Sequence, residues 1–486
     1  MPCRLRCSQS HWEVVRRHCK TSFRRGRPPE TAIVGLLGAN RTNDGREYLV
    51  AELLVPEKGD LKVALYGHVV LSAQYLRRAH VQMRERGLAG VMTVHTHPKA
   101  DVDVAFSPYD DSEDPQLISN LQEIEPRTVL LSIVLGKNSQ SARVWFSPDH
   151  FEQVDPIIVL GERILVLSGM GTAPPLLPSP EALFDSALAV TGAGALAELG
   201  QMTAAVVGAS GTGSLVSELL LRAGCKKLLI VDDDVAEDRN GNRILYLTAA
   251  DIAKGTRKVN LLATGLRNLG FGTCVEPVFG NVLDRNILAR LKEADIIFGC
   301  VDKAMPRKLL SEFAFRYIRP YIDVGTEIGG DDNGIVSLDS RVSYVAPGRP
   351  CLSCTGIVTA RQLRFESLTY EERQREIALG YCDDLAIKQP AVMDLNMRAA
   401  SLGTLVLRHL LQPFLLTPLP LSLHENIVTY TVRPSHTPRD LQLGCPRCQN
   451  NVYYGTGDCG PQLGFPSEIV ARLRSPNSQP GQDTGV

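Results

Sequence analysis

The stretch "TAAVVGASGTGSLVSELLL", residues 203–221, restricts the fold of this chain more than any other. A short apolar run ends in a glycine-rich loop, and the loop opens directly into a helix. The order continues as "KLLIVD", a helix from about 249, "CVEPVF", a helix near 283–293, "DIIFGCVD", a helix near 306–317 and "PYIDVG". Strands alternating with helices in this way predict an α/β fold built on a parallel, doubly wound sheet.

The first third of the chain follows a different pattern. Residues 31–39, 47–56, 66–71 and "GVMTVHTHP" read as strands, and 72–87 as a helix ending at a glycine. "RTVLLSIVLG" and "SARVWFS" form a hairpin across a polar turn. Residues 1–160 are therefore expected to be a small mixed α/β domain. The stretch 161–182, with its core "SGMGTAPPLLPSPEA", reads as a linker. Residues 183–473 carry the doubly wound domain, within which 361–395 are a charged, poorly patterned crossover and "LNMRAASLGTLVLRHLL" is an amphipathic helix. Residues 474–486 read as a disordered tail. Two or three domains suit a chain of 486 residues.

A net charge of −1 argues against a nucleic-acid footprint. The basic opening, with Arg4, Arg6, Arg16, Arg17, Lys20, Arg24, Arg25 and Arg27, reads as a solvated helix face. No apolar run of signal type follows it, and none reaches the roughly 18 residues needed to span a membrane. A cytoplasmic protein without membrane contact is expected.

"VHTHPKADVDVAFSPYDDSED", residues 94–114, holds the first group with a chemistry. In a strand, positions i and i+2 share a face, so His95 and His97 can meet one ion. Ser107 reads as a helix cap, Pro108 as the first helical residue, and Asp110 as a third ligand in the first turn. Three nitrogen and oxygen ligands with one open position describe a catalytic zinc. Such an ion lowers the pKa of water enough to make a nucleophile near neutral pH. Glu30, at the edge of the first strand, is a candidate base. Residues 30–110 resemble the JAB/MPN (JAMM) metalloproteases, whose pattern is an early glutamate, His-x-His-Pro, a loop, and Ser-x-x-Asp. Glu30, His95, His97, Pro98, Ser107 and Asp110 match it in order. The resemblance implies zinc on His95, His97 and Asp110, Glu30 as general base, and Ser107 as stabiliser of the oxyanion. It also implies cleavage of peptide or isopeptide bonds after ubiquitin-like C-termini. The loop 98–106 is longer than the family's usual one.

"GASGTG", residues 208–213, follows a strand and opens a helix, the context for phosphate at a helix N-terminus. Asp232 ends the next strand, where a carboxylate meets ribose hydroxyls. To this point NAD and ATP fit equally. Asn240 and Arg243 follow in "VDDDVAEDRNGNR", then Lys258, and Asp302 ends the fourth strand. Hydride transfer needs no such ring of charge. Attack of a carboxylate on the α-phosphate of ATP does, because cations must hold the triphosphate and an acidic group must hold Mg²⁺. Residues 180–455 are similar to the ThiF/MoeB/ubiquitin-activating adenylyltransferases, with Gly208, Gly211, Gly213, Asp232, Asp234, Asn240, Arg243, Lys258 and Asp302 on the family's positions. Ser186 stands where members often carry an arginine that reaches a partner subunit.

Cys351-x-x-Cys354 and Cys445-x-x-Cys448 read as two halves of a structural zinc site with four cysteine ligands. In the family, a cysteine in the region of Cys382 accepts the activated protein as a thioester or handles sulfur. Cys225, Cys274 and Cys300 read as core, and Cys459 as a neighbour of the zinc site.

The expected architecture is thus an N-terminal JAB/MPN mixed α/β domain followed by a Rossmann-like, doubly wound ThiF-type domain with a four-cysteine zinc site. The two resemblances imply one target, the C-terminal glycine of a ubiquitin-like β-grasp protein. They imply ATP, Mg²⁺ and zinc as cofactors, a homodimer, and a conjugating enzyme as a further partner, as in bacterial ubiquitin-like operons. Activation of a sulfur carrier for cofactor or cysteine biosynthesis is the alternative. The metal domain could also be a non-catalytic docking module. A dinucleotide-dependent oxidoreductase is disfavoured by Arg243, Lys258 and Asp302.

Overall fold

The computed structural model describes residues 3–24, 26–43, 45–168, 189–190, 192–331, 334–379, 391–435, 444–449 and 451–473. Ser186 and Cys382 lie outside them. The chain forms two compact units that do not follow chain order: the first gathers Met1–Ala173, Phe315–Ile318 and Asn451–Gln462, and the second holds the rest.

The first unit is an eight-stranded sheet in the order β1 (Cys3–Ser8), β3 (Gly45–Leu54), β2 (Ala32–Thr42), β6 (Gly90–Thr96), β7 (Val129–Leu135), β8 (Gln140–Ser147), β9 (His150–Leu160) and β10 (Ile164–Leu167). Strand β9 also pairs with β1, so the sheet closes on itself. A separate hairpin is made by β4 (Leu61–Leu65) and β5 (His68–Leu71). Alternation along β2 sends Ile33 and Leu37 to one face, against Val15 and Cys19 of helix α1 (Gln9–Cys19). It sends Val34 and Leu36 to the other, against Tyr75, Ala79 and Met83 of α2 (Ala73–Glu85) and Ile118 and Leu121 of α3 (Pro108–Ile124).

Two sequence expectations are corrected here, and Cys459 is placed. The basic opening is not simply a helix face: Cys3, Leu5 and Cys7 alternate into the core as β1, and Arg6 is buried with its Nε 2.8 Å from Glu47. Strand β10 occupies part of the stretch read as a linker, because pairing with β9 covers its backbone groups. Cys459 packs against the α2–α3 face of this unit.

The segment Asn451–Gln462 is part of this first unit. Gly457 bridges to Ala39, and the Asp458 amide donates to the Ala39 carbonyl at 2.7 Å. The Tyr454 ring meets His11 edge-on, with centroids 5.5 Å apart. The approach is so close that a Cβ on Gly38 would overlap the Gly455 carbonyl oxygen.

The second unit is also an eight-stranded sheet, in the order β13 (Cys274–Phe279), β12 (Lys227–Asp232), β11 (Thr203–Val207), β14 (Ile296–Gly299), β15 (Tyr321–Asp331), β16 (Gly334–Val345), β17 (Ser422–Asn426) and β18 (Thr431–Ser435). The run from β13 to β15 is parallel, as the alternating pattern predicts. Strands β16 to β18 add an antiparallel extension that the pattern did not reveal. Helix α4 (Gly211–Arg222) follows β11, and α5 (Lys258–Asn268) follows β12. Helix α6 (Met393–Leu411) turns Asn396, Ala400, Gly403, Leu407 and Leu410 inward. Cys225 is buried, but Cys274, at the start of the outermost strand β13, is exposed. No helix among the described residues is long and apolar enough to cross a membrane.

Gly38→Ala should destabilise the first unit by about 2 kcal/mol or more, because a methyl group is forced onto fixed backbone. Gly194→Ala, which meets nothing within 4 Å, should be neutral or stabilising. Denaturant unfolding checks both, and hydrogen exchange across β2 and β3 should report only the first.

Candidate functional site

In the first unit the antiparallel register sets Ala32 opposite His95, which brings Glu30, two residues earlier, across from His97. The Glu30 amide donates to Leu65 of the β4–β5 hairpin at 2.9 Å. At the start of α3 the Ser107 hydroxyl accepts the Asp110 amide and the Ser107 amide donates back to Asp110 Oδ2 at 2.7 Å, a capping box that fixes the carboxylate; the hydroxyl also donates to Oδ2 at 2.8 Å. The longer loop 98–106 does not disturb this. It is pinned by hydrogen bonds from the Lys137 and Asn138 amides to Ala100 and Asp101.

His95 Nε2 lies 3.1 Å from Asp110 Oδ1, His97 Nε2 lies 3.4 Å from Oδ2, and the two Nε2 atoms are 3.2 Å apart. A tetrahedral ion with bonds near 2.0–2.1 Å needs ligand atoms about 3.4 Å apart, so this donor set fits zinc. Burial raises the Glu30 pKa, and the nearby His97 and His95 oppose the rise. Glu30, His95, His97, Ser107 and Asp110 line one cavity of about 450 Å³. His68 and Tyr109, which meet edge-on at 4.8 Å, also line it and carried no sequence signal.

Arg143 of β8 was equally invisible in the sequence. It is 3% exposed and holds the first turns of α3, with Nη1 2.5 Å from Asp111 and Nη2 2.8 Å from Asp114. Trp145 Nε1 donates to the same Asp114 oxygen at 3.1 Å.

In the second unit the next parallel strand after β11 lies on one side of it and the next after β14 on the other, so the strand order reverses between them and the crevice at their carboxyl ends is the expected ligand site. Gly208 has φ +99° and lies against the Cys300 carbonyl, where a Cβ would overlap it. Asp232 Oδ2 accepts the Ala209 amide at 2.6 Å and Oδ1 accepts the Asp234 amide at 2.8 Å. Burial raises the Asp232 pKa to about 6, opposed by Lys258. Lys258 Nζ is 2.7 Å from Asp234 Oδ2 and 3.3 Å from Ser210 Oγ. Asn240 is buried and closes the turn before Arg243 by accepting the Glu237 amide at 3.1 Å. Asp302 is exposed, just past β14. The structure thus brings the loop, Asp232, Asp234 and Lys258 into direct contact.

The four thiols also converge. Sγ separations are 3.8 Å for Cys351–Cys354, 4.0 Å for Cys351–Cys445 and 3.7 Å for Cys354–Cys448. These are too long for disulfides, whose S–S bond is about 2.05 Å. They fit a tetrahedral ion with metal–sulfur bonds of about 2.3 Å, whose ligands stand about 3.8 Å apart.

A parallel doubly wound sheet with a glycine loop, a carboxylate and a lysine at its crevice is an arrangement that suits a phosphate-bearing ligand. Residues 184–421 match the ThiF family. The SAMP-activating enzyme E1 of Haloferax volcanii is 28% identical over 149 residues, which are 31% of this chain and 51% of that protein. The sulfur carrier protein ThiS adenylyltransferase of Bacillus subtilis is 26% identical over 157 residues, 32% of this chain and 44% of that protein. The ubiquitin-like modifier-activating enzyme 5 of Xenopus laevis is 28% identical over 165 residues, 31% of this chain and 39% of that protein. The chain therefore spans about half or less of these relatives. Among solved structures, E. coli MccB with ATP is 19% identical with a TM-score of 0.42, covering 55% of this chain and 74% of that one.

Arg143→Ala should cost about 3 kcal/mol, because it strips the partner from carboxylates at a buried guanidinium. Arg143→Lys should cost less. Equilibrium unfolding of both variants measures the difference.

Proposed function

We propose that the chain adenylates the C-terminal carboxylate of a small ubiquitin-like or sulfur-carrier protein. The observation that carries this is the meeting of the 208–213 loop, Asp232, Asp234 and Lys258 at the sheet's crevice, in the part of the chain that matches the ThiF family. The activities that the relatives' names state support the substrate class. In this reading Asp232 holds the ribose, while Arg243 and Lys258 neutralise the triphosphate. Lys258 would release Asp234 as the phosphates arrive. Asp302 would hold Mg²⁺. The substrate carboxylate attacks the α-phosphorus and pyrophosphate leaves. A thiolate, with Cys382 as the sequence's candidate, would then attack the acyl carbon and release AMP. A homodimer and a conjugating enzyme as acceptor belong to the same reading.

The first unit is proposed as a metal-dependent peptidase acting on the same kind of tail. His95, His97 and Asp110 would hold zinc, which when bound supplies Lewis acidity toward water and the scissile carbonyl. Glu30, with its raised pKa, can take a proton from water and deliver it to the leaving amine. Ser107 borders the cavity and can turn its hydroxyl toward a developing oxyanion. The four cysteines would hold a second, structural zinc.

ATP–pyrophosphate exchange is expected with one small β-grasp protein and not with others, and Asp302→Ala should abolish it. No exchange with any such protein would sink the adenylation reading. A conjugating-enzyme thioester formed downstream would favour conjugation, and a thiocarboxylate product would favour sulfur transfer.

The purified chain should contain about two equivalents of zinc, four-coordinate at one site and three-coordinate by protein at the other. Cys354→Ser should lose one equivalent and His97→Ala the other, by elemental analysis. Glu30→Gln should keep both and lose peptide cleavage. Zinc content unaltered by His97→Ala would rule out the first-unit metal site.

A further inference from the structure

The nucleotide site contains a polar side chain that neither sequence reasoning nor the family's named positions include. Asn396, in the first turn of α6, is 3% exposed. Its Oδ1 accepts from Thr212 Oγ1 and from Thr326 Oγ1, each at 3.2 Å. An amide oxygen has two lone pairs, so these two donors saturate it and fix which way the amide faces. The Nδ2 group is thereby turned toward Gly211, where it fills the space that a Cβ would need. Among the described residues Nδ2 has no protein partner. This donor is therefore available to an acceptor on a group that binds at this position.

Gly211 is the first residue of α4, whose opening N–H groups have no partner within the helix. Ser210, its cap, makes no side-chain bond to them. The Arg243 Cδ lies 3.2 Å from the same Cβ position, so Gly211 is flanked by Asn396 on one side and Arg243 on the other. An amide N–H and helix N–H groups thus face one point, with the aliphatic part of the Arg243 side chain alongside and its Nη1 turned to the Arg239 carbonyl and Asn242. Both are donors, and the helix end adds the equivalent of positive charge through its dipole.

We propose that Asn396 is a phosphate-binding residue: its Nδ2 donates to a phosphate oxygen of ATP at the start of α4, with Thr212 and Thr326 holding the amide in register. The inference rests on the nucleotide reading above and adds a residue from a helix more than a hundred positions beyond the other residues placed in direct contact there. It also explains Gly211, since any side chain there would displace the amide.

The test is calorimetric binding of Mg-ATP and, separately, of adenosine to the full chain. Asn396→Ala should weaken ATP about ten- to a hundredfold, the effect of losing one hydrogen bond to a charged group. Asn396→Asp, which replaces the donor with a negative charge, should weaken it further. Adenosine, which has no phosphate, should bind all variants as it binds the wild type. Thr326→Val, which leaves Asn396 in place but frees its amide, should give a smaller loss for ATP alone, and it decides the matter if the Asn396 variants do not fold. Unchanged ATP affinity in the variants would overturn the proposal. So would an equal loss for ATP and adenosine, which would mean a purely structural role. A wild-type chain that fails to bind ATP would overturn the nucleotide reading itself.

Discussion

The second unit is organised around one close approach. The backbone of Gly208, leaving β11, lies directly against the Cys300 carbonyl that follows β14, and nothing larger than hydrogen fits between them. The two strands are parallel neighbours whose chains then part, so the approach defines the floor of a crevice whose walls are loops. Asp232, at the end of β12, ties the same loop down through the Ala209 amide. Once the loop is held on both sides, the start of α4 has a fixed place, and Lys258, Arg243 and Asn396 are arranged around it. Substituting Gly208 would therefore disturb the whole group rather than one contact.

The first unit rests on a different device for the same end. There the sheet closes on itself, and the carboxylate and histidines meet because of strand register and a helix cap. The register carries Glu30 to His97, and the capping box carries Asp110 to both imidazoles. Arg143 then holds α3 from behind through two further carboxylates.

Much of this was legible in the sequence, for reasons that are local. A period of two places His95 and His97 on one face, and Ser-Pro-x-Asp starts a helix with its carboxylate in the first turn. The spacing within each CxxC pair brings two thiols together within one loop. What was missed shares a physical cause. Strand β1 hides behind its arginines because Arg6 is neutralised by Glu47, a residue of another strand. Asn396 sits in the inward stripe of a helix that otherwise reads as apolar, and an asparagine in such a stripe was the one available signal. Cys274 and Cys459 show the limit of judging a cysteine by its neighbours in sequence: one lies exposed at a sheet edge, and the other packs in the first unit.

By itself the sequence determined the alternating order of the parallel strands, the glycine loop and the two sets of metal-ligand spacing. Each of these is set by backbone periodicity or by residues within a few positions of one another. Only the tertiary structure decided that the sheet of the second unit continues into three antiparallel strands and that residues 451–462 return to the first unit. The pairing of Cys351 and Cys354 with Cys445 and Cys448, and the meeting of Asn396 with Gly211, were likewise settled there. These pairings join residues about a hundred or more positions apart. They depend on which buried donors, acceptors and close backbone approaches can be satisfied together, and that is a property of packing rather than of any stretch of chain.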